Sequence, residues 1–331
     1  MDGLLLVDKP AGPTSHDVVA RMRRALGEKR IGHTGTLDPA ATGLLLLVVG
    51  KATRLATFLS ASDKSYEAVV RLGFATDTAD AEGRALGPPH EGALPTRAAI
   101  EAALQPFRGT FLQQPPAFSA KKIDGQRSYT LARNARLKPS PLDEARDDPE
   151  RVEGSRSDDP APPALPAPVS VTTHRLEIVS IEGDRVTLSL DCSAGFYVRS
   201  LAHDLGERLG TGGHLAALRR TRSGDFTLDA AIDLDTAQRD PARAAAALVP
   251  MAAMLPRMRA VVLTDEGVHH VMHGRDLVPG DTVSPTNQEN DSRTAAAESG
   301  PIRLVDSRGE LVAIAQRTPG GGPLHPSVVL V

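Results

Sequence analysis

The most informative segment of this chain runs from Gly32 to Leu55. It reads Gly32-His33-Thr34-Gly35-Thr36-Leu37-Asp38-Pro39-Ala40-Ala41-Thr42-Gly43, continues through an apolar run at 44–49, and closes with Gly50-Lys51-Ala52-Thr53-Arg54-Leu55. One carboxylate, Asp38, therefore occupies a turn rich in Gly, Thr and Pro, directly before an unbroken apolar strand. A strand holds such a loop still, as a catalytic group requires. Asp-Pro is also ordinary turn chemistry, so the residue types alone leave a structural role open.

Strands and helices are predicted on both sides of this segment. An apolar strand at 4–8 leads into a helix that Thr14 and Asp17 begin in a capping-box pattern. Apolar periodicity predicts further helices at 53–60, 96–104, 128–134, 198–209 and 236–248. It predicts further strands at 43–49, 66–72, 169–181, 185–192, 260–263, 302–305 and 311–315.

Charge is unevenly distributed along the 331 residues, although the net charge is only −3. Residues 1–138 carry 19 Lys and Arg against 13 Asp and Glu, whereas residues 139–168 carry 3 against 8. Because phosphate contacts depend on local patches rather than on totals, RNA binding remains compatible with the acidic total. Aromatic residues make up 3% of the chain, so a surface of many stacking aromatics is not expected.

Residues 139–168 differ from the rest of the chain. Pro, Asp, Glu and Ser dominate there and no apolar periodicity is present, so we expect a disordered surface insertion. The predicted organisation is a catalytic domain over 1–250, containing this insertion, followed by a small β-rich module over 257–331.

Metal and membrane roles are not expected. The single cysteine, Cys192, cannot form an intrachain disulfide and is expected to be a small buried side chain. His33 has no second His or Cys at ligand spacing, and the motif His269-His270-x-x-His273 has no carboxylate partner in its pattern. No apolar stretch reaches membrane-spanning length, so we expect a cytoplasmic protein.

Four separated segments resemble the TruB family of tRNA pseudouridine synthases. They are Val7-Asp8-Lys9-Pro10-Ala11-Gly12-Pro13-Thr14-Ser15-His16, the Asp38 segment, the stretch from Lys64-Ser65-Tyr66-Glu67 through Thr76-Asp77-Thr78-Ala79-Asp80 to Tyr129, and the stretch from Cys192-Ser193-Ala194-Gly195-Phe196-Tyr197-Val198-Arg199 to Leu218-Arg219-Arg220-Thr221-Arg222. Together they span about two-thirds of the chain. Phe196 departs from the pattern, which usually has Thr there.

The resemblance implies three catalytic residues. Asp38 is the aspartate that allows the uracil base to leave N1, rotate and rejoin the sugar through C5, by a covalent path that the sequence leaves open. Arg199 is expected to pair with Asp38 and keep it anionic. Tyr66 is expected to stack on the displaced base.

The resemblance also implies a substrate-binding set, which consists of His33, Thr36, Lys64, Leu201, Arg219 and Arg220. His33 would fill the space left by the extruded nucleotide. Lys64 would bring positive charge close to the RNA or bond within the pocket, with a solvated lysine as the alternative. Leu201 would line the pocket wall. Arg219 and Arg220 would contact phosphates, with a solvated basic turn as the alternative.

The implied fold is the α/β (α+β) pseudouridine synthase fold, a mixed and largely antiparallel sheet flanked by helices, with a PUA-like module at the C-terminus. The implied activity is isomerisation of uridine 55 in the T stem-loop of tRNA, by a monomer that needs no cofactor, metal or obligate protein partner. Two alternatives remain open: a guide-dependent synthase of the Cbf5/dyskerin kind, and an RNA chaperone that assists tRNA folding with incidental catalysis.

Overall fold

The computed structural model describes residues 1–116, 122–123, 126–127, 166–283, 300–318 and 322–330. The chain forms two compact units. Unit 1 combines Met1–Ser62 with Arg220–Val331, and unit 2 is Asp63–Arg219. Each unit is described by itself below.

The strands are numbered in chain order. They are β1 (Gly3–Lys9), β2 (Ile31–Thr34), β3 (Thr42–Val49), β4 (Lys64–Leu72), β5 (Ala75–Thr76), β6 (Ala85–Leu86), β7 (Gly109–Gln113), β8 (Lys122–Ile123), β9 (Gln126–Arg127), β10 (Val169–Glu182), β11 (Arg185–Cys192), β12 (Gly213–Ser223), β13 (Phe226–Thr227), β14 (Ile232–Asp233), β15 (Ala260–Val262), β16 (Ile302–Val305), β17 (Leu311–Arg317) and β18 (Leu324–Val329).

The α-helices are numbered in the same way. They are α1 (Ser15–Leu26), α2 (Ala56–Ser60), α3 (Arg97–Leu104), α4 (Val198–Leu209), α5 (Leu234–Arg239), α6 (Pro241–Ala246) and α7 (Asp265–Met272). Short 3-10 segments at Gly50–Leu55, Gln105–Phe107, Leu228–Ala230 and Met251–Ala253 join some of them.

Strand β3 is the centre of unit 1. It pairs antiparallel with β1 from Gly3 opposite Val49 to Lys9 opposite Gly43, and antiparallel with β2. Strand β14 adds to β1 in parallel. Residues 43–49 are all buried, which explains why this run shows no apolar alternation: both faces of the strand are covered. A rigid, two-sided strand therefore leads directly out of the Asp38 loop.

Helix α1 begins as the sequence predicts. The Thr14 side chain accepts a hydrogen bond from the backbone of Asp17, and the Asp17 carboxylate accepts one from the backbone of Thr14, so both halves of the capping box are present. The helix ends at Gly27, whose φ of 64° places it in the left-handed conformation that glycine adopts without strain.

The C-terminal strands form a second sheet in unit 1, in the order β15-β16-β17-β18. One face packs with helix α7 in an apolar cluster that includes Leu263, Val271 and Leu304. Leu311, Ile314 and other side chains of this region join a different cluster that contains residues of β1 and β3. The C-terminal sheet is thus part of the same compact unit as the Asp38 loop.

Unit 2 contains the antiparallel order β4-β11-β10-β7. Helices α3 and α4 pack against each other and cover an apolar face of these strands with Leu104, Leu201 and Leu205. Strand β12 begins in unit 2 and ends in unit 1, because the boundary lies between Arg219 and Arg220.

Several predicted elements need correction. The helix predicted over 236–248 is two short helices, α5 and α6, because Asp240 caps the second one and Pro241 lacks the N–H that would continue the first. The sequence analysis missed strands β2, β7, β12 and β18, helix α7 and the two-residue strands β5, β6, β8, β9, β13 and β14. The helix predicted over 53–60 is α-helical only over Ala56–Ser60, because the 3-10 segment Gly50–Leu55 precedes it. The helix predicted at 128–134 and residues 139–165 of the predicted insertion lie outside the described residues. The predicted domain boundary at 250–257 stays a prediction.

Among the described residues, no helix is both long enough and apolar enough to span a bilayer.

Replacing Gly206 with alanine should destabilise the protein. A Cβ at this position of α4 would lie 2.1 Å from the backbone nitrogen of Gly213, so helix and strand could not keep their close approach. We expect a loss of about 1–3 kcal/mol or more in the free energy of unfolding, measured by denaturant titration. The exposed neighbour Glu207→Ala should change it by less than about 0.5 kcal/mol. Equal stability of the two variants would contradict the close packing.

Candidate active site

The Asp38 loop connects β2 to β3 in unit 1. The backbone N–H of Ala41 donates to the Asp38 carbonyl at 3.1 Å, which closes a tight turn. The N–H of Gly12 donates to the Pro39 carbonyl at 2.9 Å and joins the loop to the segment before α1. The Asp38 residue itself is half-buried. The turn chemistry read from the sequence is therefore present, with the carboxylate on a loop held at both ends by strands.

Ser15, at the first turn of α1, holds the middle of this loop. Its hydroxyl donates to the Leu37 carbonyl at 3.0 Å and accepts from the Leu37 N–H at 2.9 Å. Both residues are buried, so water does not compete for these bonds. This two-way contact fixes the residue immediately before Asp38.

Lys9, at the end of β1, holds the second half of the loop. Its ammonium group donates to the carbonyls of Pro10 at 3.0 Å, Pro39 at 3.1 Å and Ala41 at 2.7 Å. The residue has no solvent exposure. All three donors of the ammonium are therefore used by backbone carbonyls, two of which belong to the residues just after Asp38.

Burial and the Asp38 carboxylate have opposing effects on the pKa of Lys9. Burial lowers the pKa of Lys9 from 10.5 to about 8, the Asp38 carboxylate acts against this shift, and Arg220 adds to it. The Asp38 carboxylate is thus close enough to favour the charged form of Lys9.

Arg220 is buried against the loop, so it is not part of a solvated basic turn, and its phosphate contact stays a prediction. It is 1% exposed. Its Nε donates to the Leu44 carbonyl at 2.7 Å and its Nη2 to the Gly35 carbonyl at 3.0 Å. A Cβ at Gly43, whose φ is +98°, would lie 2.3 Å from the Arg220 carbonyl oxygen, so only glycine permits this close approach of the two backbones.

His33 lies on β2, half-buried, with its ring edge-on to the ring of His16 at a centroid distance of 5.1 Å. Its Nδ1 is buried and has no hydrogen-bond partner in the described part of the chain. Burial, then the charges of His16 and Arg220, lower the pKa of His33 from 6.5 to about 4. The imidazole is therefore neutral at physiological pH. Thr36 is exposed in the same loop.

Unit 2 holds Lys64 and Tyr66 on one face of β4. Lys64 lies opposite Cys192 and Tyr66 opposite Leu190 on the neighbouring strand β11. Lys64 is 6% exposed, so it is not the solvated lysine that remained open in the sequence analysis. Tyr66 is half-buried and packs against the apolar cluster of unit 2.

Arg199 lies in the first turn of α4 and is 9% exposed. One guanidinium nitrogen, Nη1, lies 3.6 Å from Oδ2 of Asp80 and 3.3 Å from the Thr78 carbonyl. Sequence reasoning did not anticipate Asp80 as a partner, although Asp80 belongs to one of the segments that carry the resemblance. The pairing of Arg199 with Asp38 stays a prediction.

The remaining predicted residues are shielded from solvent to different degrees. Leu201 has no exposed surface and belongs to the apolar core of unit 2, so its contact with substrate stays a prediction. Arg219 is half-buried on β12, and its phosphate contact also stays a prediction. Cys192 is a buried free thiol.

Within the described ranges, no three His, Cys, Asp or Glu residues are grouped to hold a metal ion.

Solved structures define the class of fold. A crystal structure of a Cbf5-Nop10-Gar1 complex superposes with a TM-score of 0.66 at 25% identity, covering 99% of this chain and 85% of that one. The structure of an H/ACA RNP bound to a substrate RNA containing 2'-deoxyuridine gives the same TM-score at 24% identity, with the same coverage. The chain has the pseudouridine synthase fold, with its mixed sheet, flanking helices and small C-terminal β module.

Sequence relatives define the family. Residues 23–144 match the N-terminal domain of the TruB family pseudouridylate synthases, and residues 199–256 match the tRNA pseudouridylate synthase B C-terminal domain. A tRNA pseudouridine synthase B of Solibacter usitatus is 39% identical over 100% of both chains. One of Corynebacterium diphtheriae is 43% identical over 72% of this chain and 73% of its own length. The chain belongs to the TruB family.

His33 should titrate well below an ordinary histidine. We expect an NMR titration midpoint near 4 for its ring, because burial and two neighbouring cationic groups disfavour the imidazolium. The unfolded chain binds that proton near 6.5, so His33 should lower the free energy of unfolding as the pH falls from 6.5 towards 4. His33→Phe should reduce this acid sensitivity. A midpoint near 6.5 would contradict the described environment.

Proposed function

We propose that this TruB-family isomerase converts uridine 55 in the T stem-loop of tRNA to pseudouridine, with Asp38 as the reacting carboxylate. The observation that carries the proposal is the construction of the Asp38 loop. Ser15, Lys9 and Arg220 are almost fully buried, and all three hold backbone groups of this one loop. Such rigid support is what a reacting group needs and what a simple surface turn does not.

The isomerisation requires a side chain that either bonds to an electrophilic atom of the nucleoside or stabilises a positive charge on its sugar. In the isomerisation the bond between N1 and C1′ breaks, a bond between C5 and C1′ forms, the C5 proton leaves and N1 gains a proton. Asp38 serves this reaction either by bonding covalently to sugar or base, or by stabilising an oxocarbenium-like sugar. Both paths use the carboxylate in its ionised form, and the Lys9 ammonium lies close enough to Asp38 for their charges to interact.

Further residues are assigned by their place in the family segments. Tyr66 offers a half-buried ring for the base and a hydroxyl that exchanges protons. Arg199 is a buried cation that would pair with Asp38 during reaction. Neutral His33 suits the apolar space that an extruded nucleotide leaves. Thr36, Lys64, Leu201 and Arg219 complete the proposed substrate-binding set.

Recognition of the RNA is proposed to rest on the shape and phosphates of the T stem-loop. The uridine must leave the loop stack to react, so single-stranded and backbone contacts matter more than duplex sequence. We infer a monomer that acts in the cytoplasm without a guide RNA or an obligate protein partner. The relatives named tRNA pseudouridine synthase B support this over guide-dependent selection.

The test uses the purified protein alone and a synthetic T-arm hairpin with tritium on C5 of uridine 55. We expect release of tritium to water and no free uracil, because the base is reattached rather than hydrolysed. Asp38→Asn should slow release by at least about a thousandfold, since an amide cannot supply the charge or the nucleophile. Its affinity for the hairpin should stay within about twofold, because phosphate contacts dominate binding.

Each other outcome has a defined meaning in this experiment. Release of tritium by Asp38→Asn at the wild-type rate would show that Asp38 is not the reacting group. No release by the wild-type protein alone, restored by a guide RNA and accessory proteins, would favour the guide-dependent alternative. Free uracil in the supernatant would indicate hydrolysis instead of isomerisation.

A further inference from the structure

Arg220 joins the two ends of the Asp38 loop from below. Gly35 follows β2 at the start of the loop, and Leu44 lies near the start of β3, just after the end of the loop. The guanidinium donates to both carbonyls, through Nη2 at 3.0 Å and Nε at 2.7 Å. The planar guanidinium thus sets the distance between the end of β2 and the start of β3, the two strands that the Asp38 loop connects.

The burial of Arg220 separates it from its neighbours in the basic run at 219–222. It is 1% exposed, whereas Arg219 and Arg222 are half-buried. Its Nε and Nη2 already donate to the Leu44 and Gly35 carbonyls. The guanidinium of Arg220 is therefore directed at the backbone of the Asp38 loop rather than at solvent.

A buried guanidinium is costly unless its donors are satisfied and a counter-charge is close. Arginine cannot escape this cost by losing its proton. The carbonyl contacts satisfy two donors. Burial is the main cause of the lowered pKa of both Lys9 and His33, and the charge of Arg220 adds to it, so Arg220 lies close to both residues. A buried guanidinium at position 220 is therefore explained if the geometry of the Asp38 loop depends on it.

We propose that Arg220 is a positioning residue for the isomerisation, which fixes the Asp38 loop by bridging the Gly35 and Leu44 carbonyls and does not contact the RNA. This inference rests on the proposed function of Asp38 as the reacting carboxylate. It differs from the phosphate contact that the resemblance implies for Arg220.

The experiment compares single-turnover rates at saturating hairpin with binding constants at several salt concentrations. Arg220→Met keeps much of the length of the side chain and removes both donors. We expect its rate to fall by about 10- to 100-fold, because small displacements of a reacting group have effects of this size. Its dissociation constant should stay within about twofold with an unchanged salt slope, since no phosphate contact is lost.

Arg303 provides a matched control in unit 1. Its guanidinium likewise bridges two backbone carbonyls, those of Met258 at 3.0 Å and Ala252 at 2.8 Å, remote in sequence from the Asp38 loop. Arg303→Met should lower the melting temperature and leave the saturating rate unchanged. An equal rate loss in both variants would mean that general loss of stability, not loop positioning, explains the effect.

A second variant keeps the inference testable if Arg220→Met folds poorly. Arg220→Lys keeps the charge but not the two-pronged donor geometry, so we expect a partial rate loss with unchanged binding. The NMR midpoint of His33 should rise in Arg220→Met and stay near its wild-type value in Arg220→Lys, because only the first removes the charge.

The outcomes distinguish this inference from the proposed function. Weaker binding with a shallower salt slope and an unchanged rate would make Arg220 a phosphate contact and overturn the inference. A wild-type rate in Arg220→Met or Arg220→Lys, with Asp38→Asn inactive, would overturn the inference alone. Activity in Asp38→Asn would overturn the proposed function instead.

Discussion

The Lys9 ammonium, buried beneath the Asp38 loop, is the interaction on which the rest of the site depends. Three backbone carbonyls receive its three donors, and the Asp38 carboxylate is near enough to oppose the loss of its proton. Placing a full charge where water cannot reach costs several kcal/mol unless the surrounding dipoles and a counter-charge replace the lost hydration. The loop supplies both, so the lysine and the loop hold each other in one conformation.

The fold serves this arrangement through its strands. Strand β3 is buried along residues 43–49, so the segment after Asp38 has little freedom to move. Gly43 allows the Arg220 backbone to approach, which brings the guanidinium under the loop. Ser15 adds a contact from the first turn of helix α1, which begins with a complete capping box. Strand, helix and side chains thus restrict the same few backbone atoms from different directions.

Local patterns predicted much of this structure. The capping box at Thr14, the strand after Asp38 and the helix over Val198–Leu209 follow from signals within a few residues, and the structure confirms them. The sequence analysis did not anticipate the burial of Arg220, for a physical reason. Its partners are backbone carbonyls, which every residue has, so nothing in the residue types distinguishes a buried arginine from a solvated one in a basic run. Asp80 was missed as a partner of Arg199 because the two lie far apart in the chain.

The most direct measurement is a crystal structure of the Asp38→Asn variant bound to the T-arm hairpin. If the side chain at position 38 is the one that reacts with the nucleoside, uridine 55 should lie outside the RNA stack, with its C1′ or its base within about 3–3.5 Å of the substituted amide. A hairpin bound with uridine 55 still stacked would contradict the account. So would a complex in which a different side chain lies at reacting distance and the amide at position 38 is turned away.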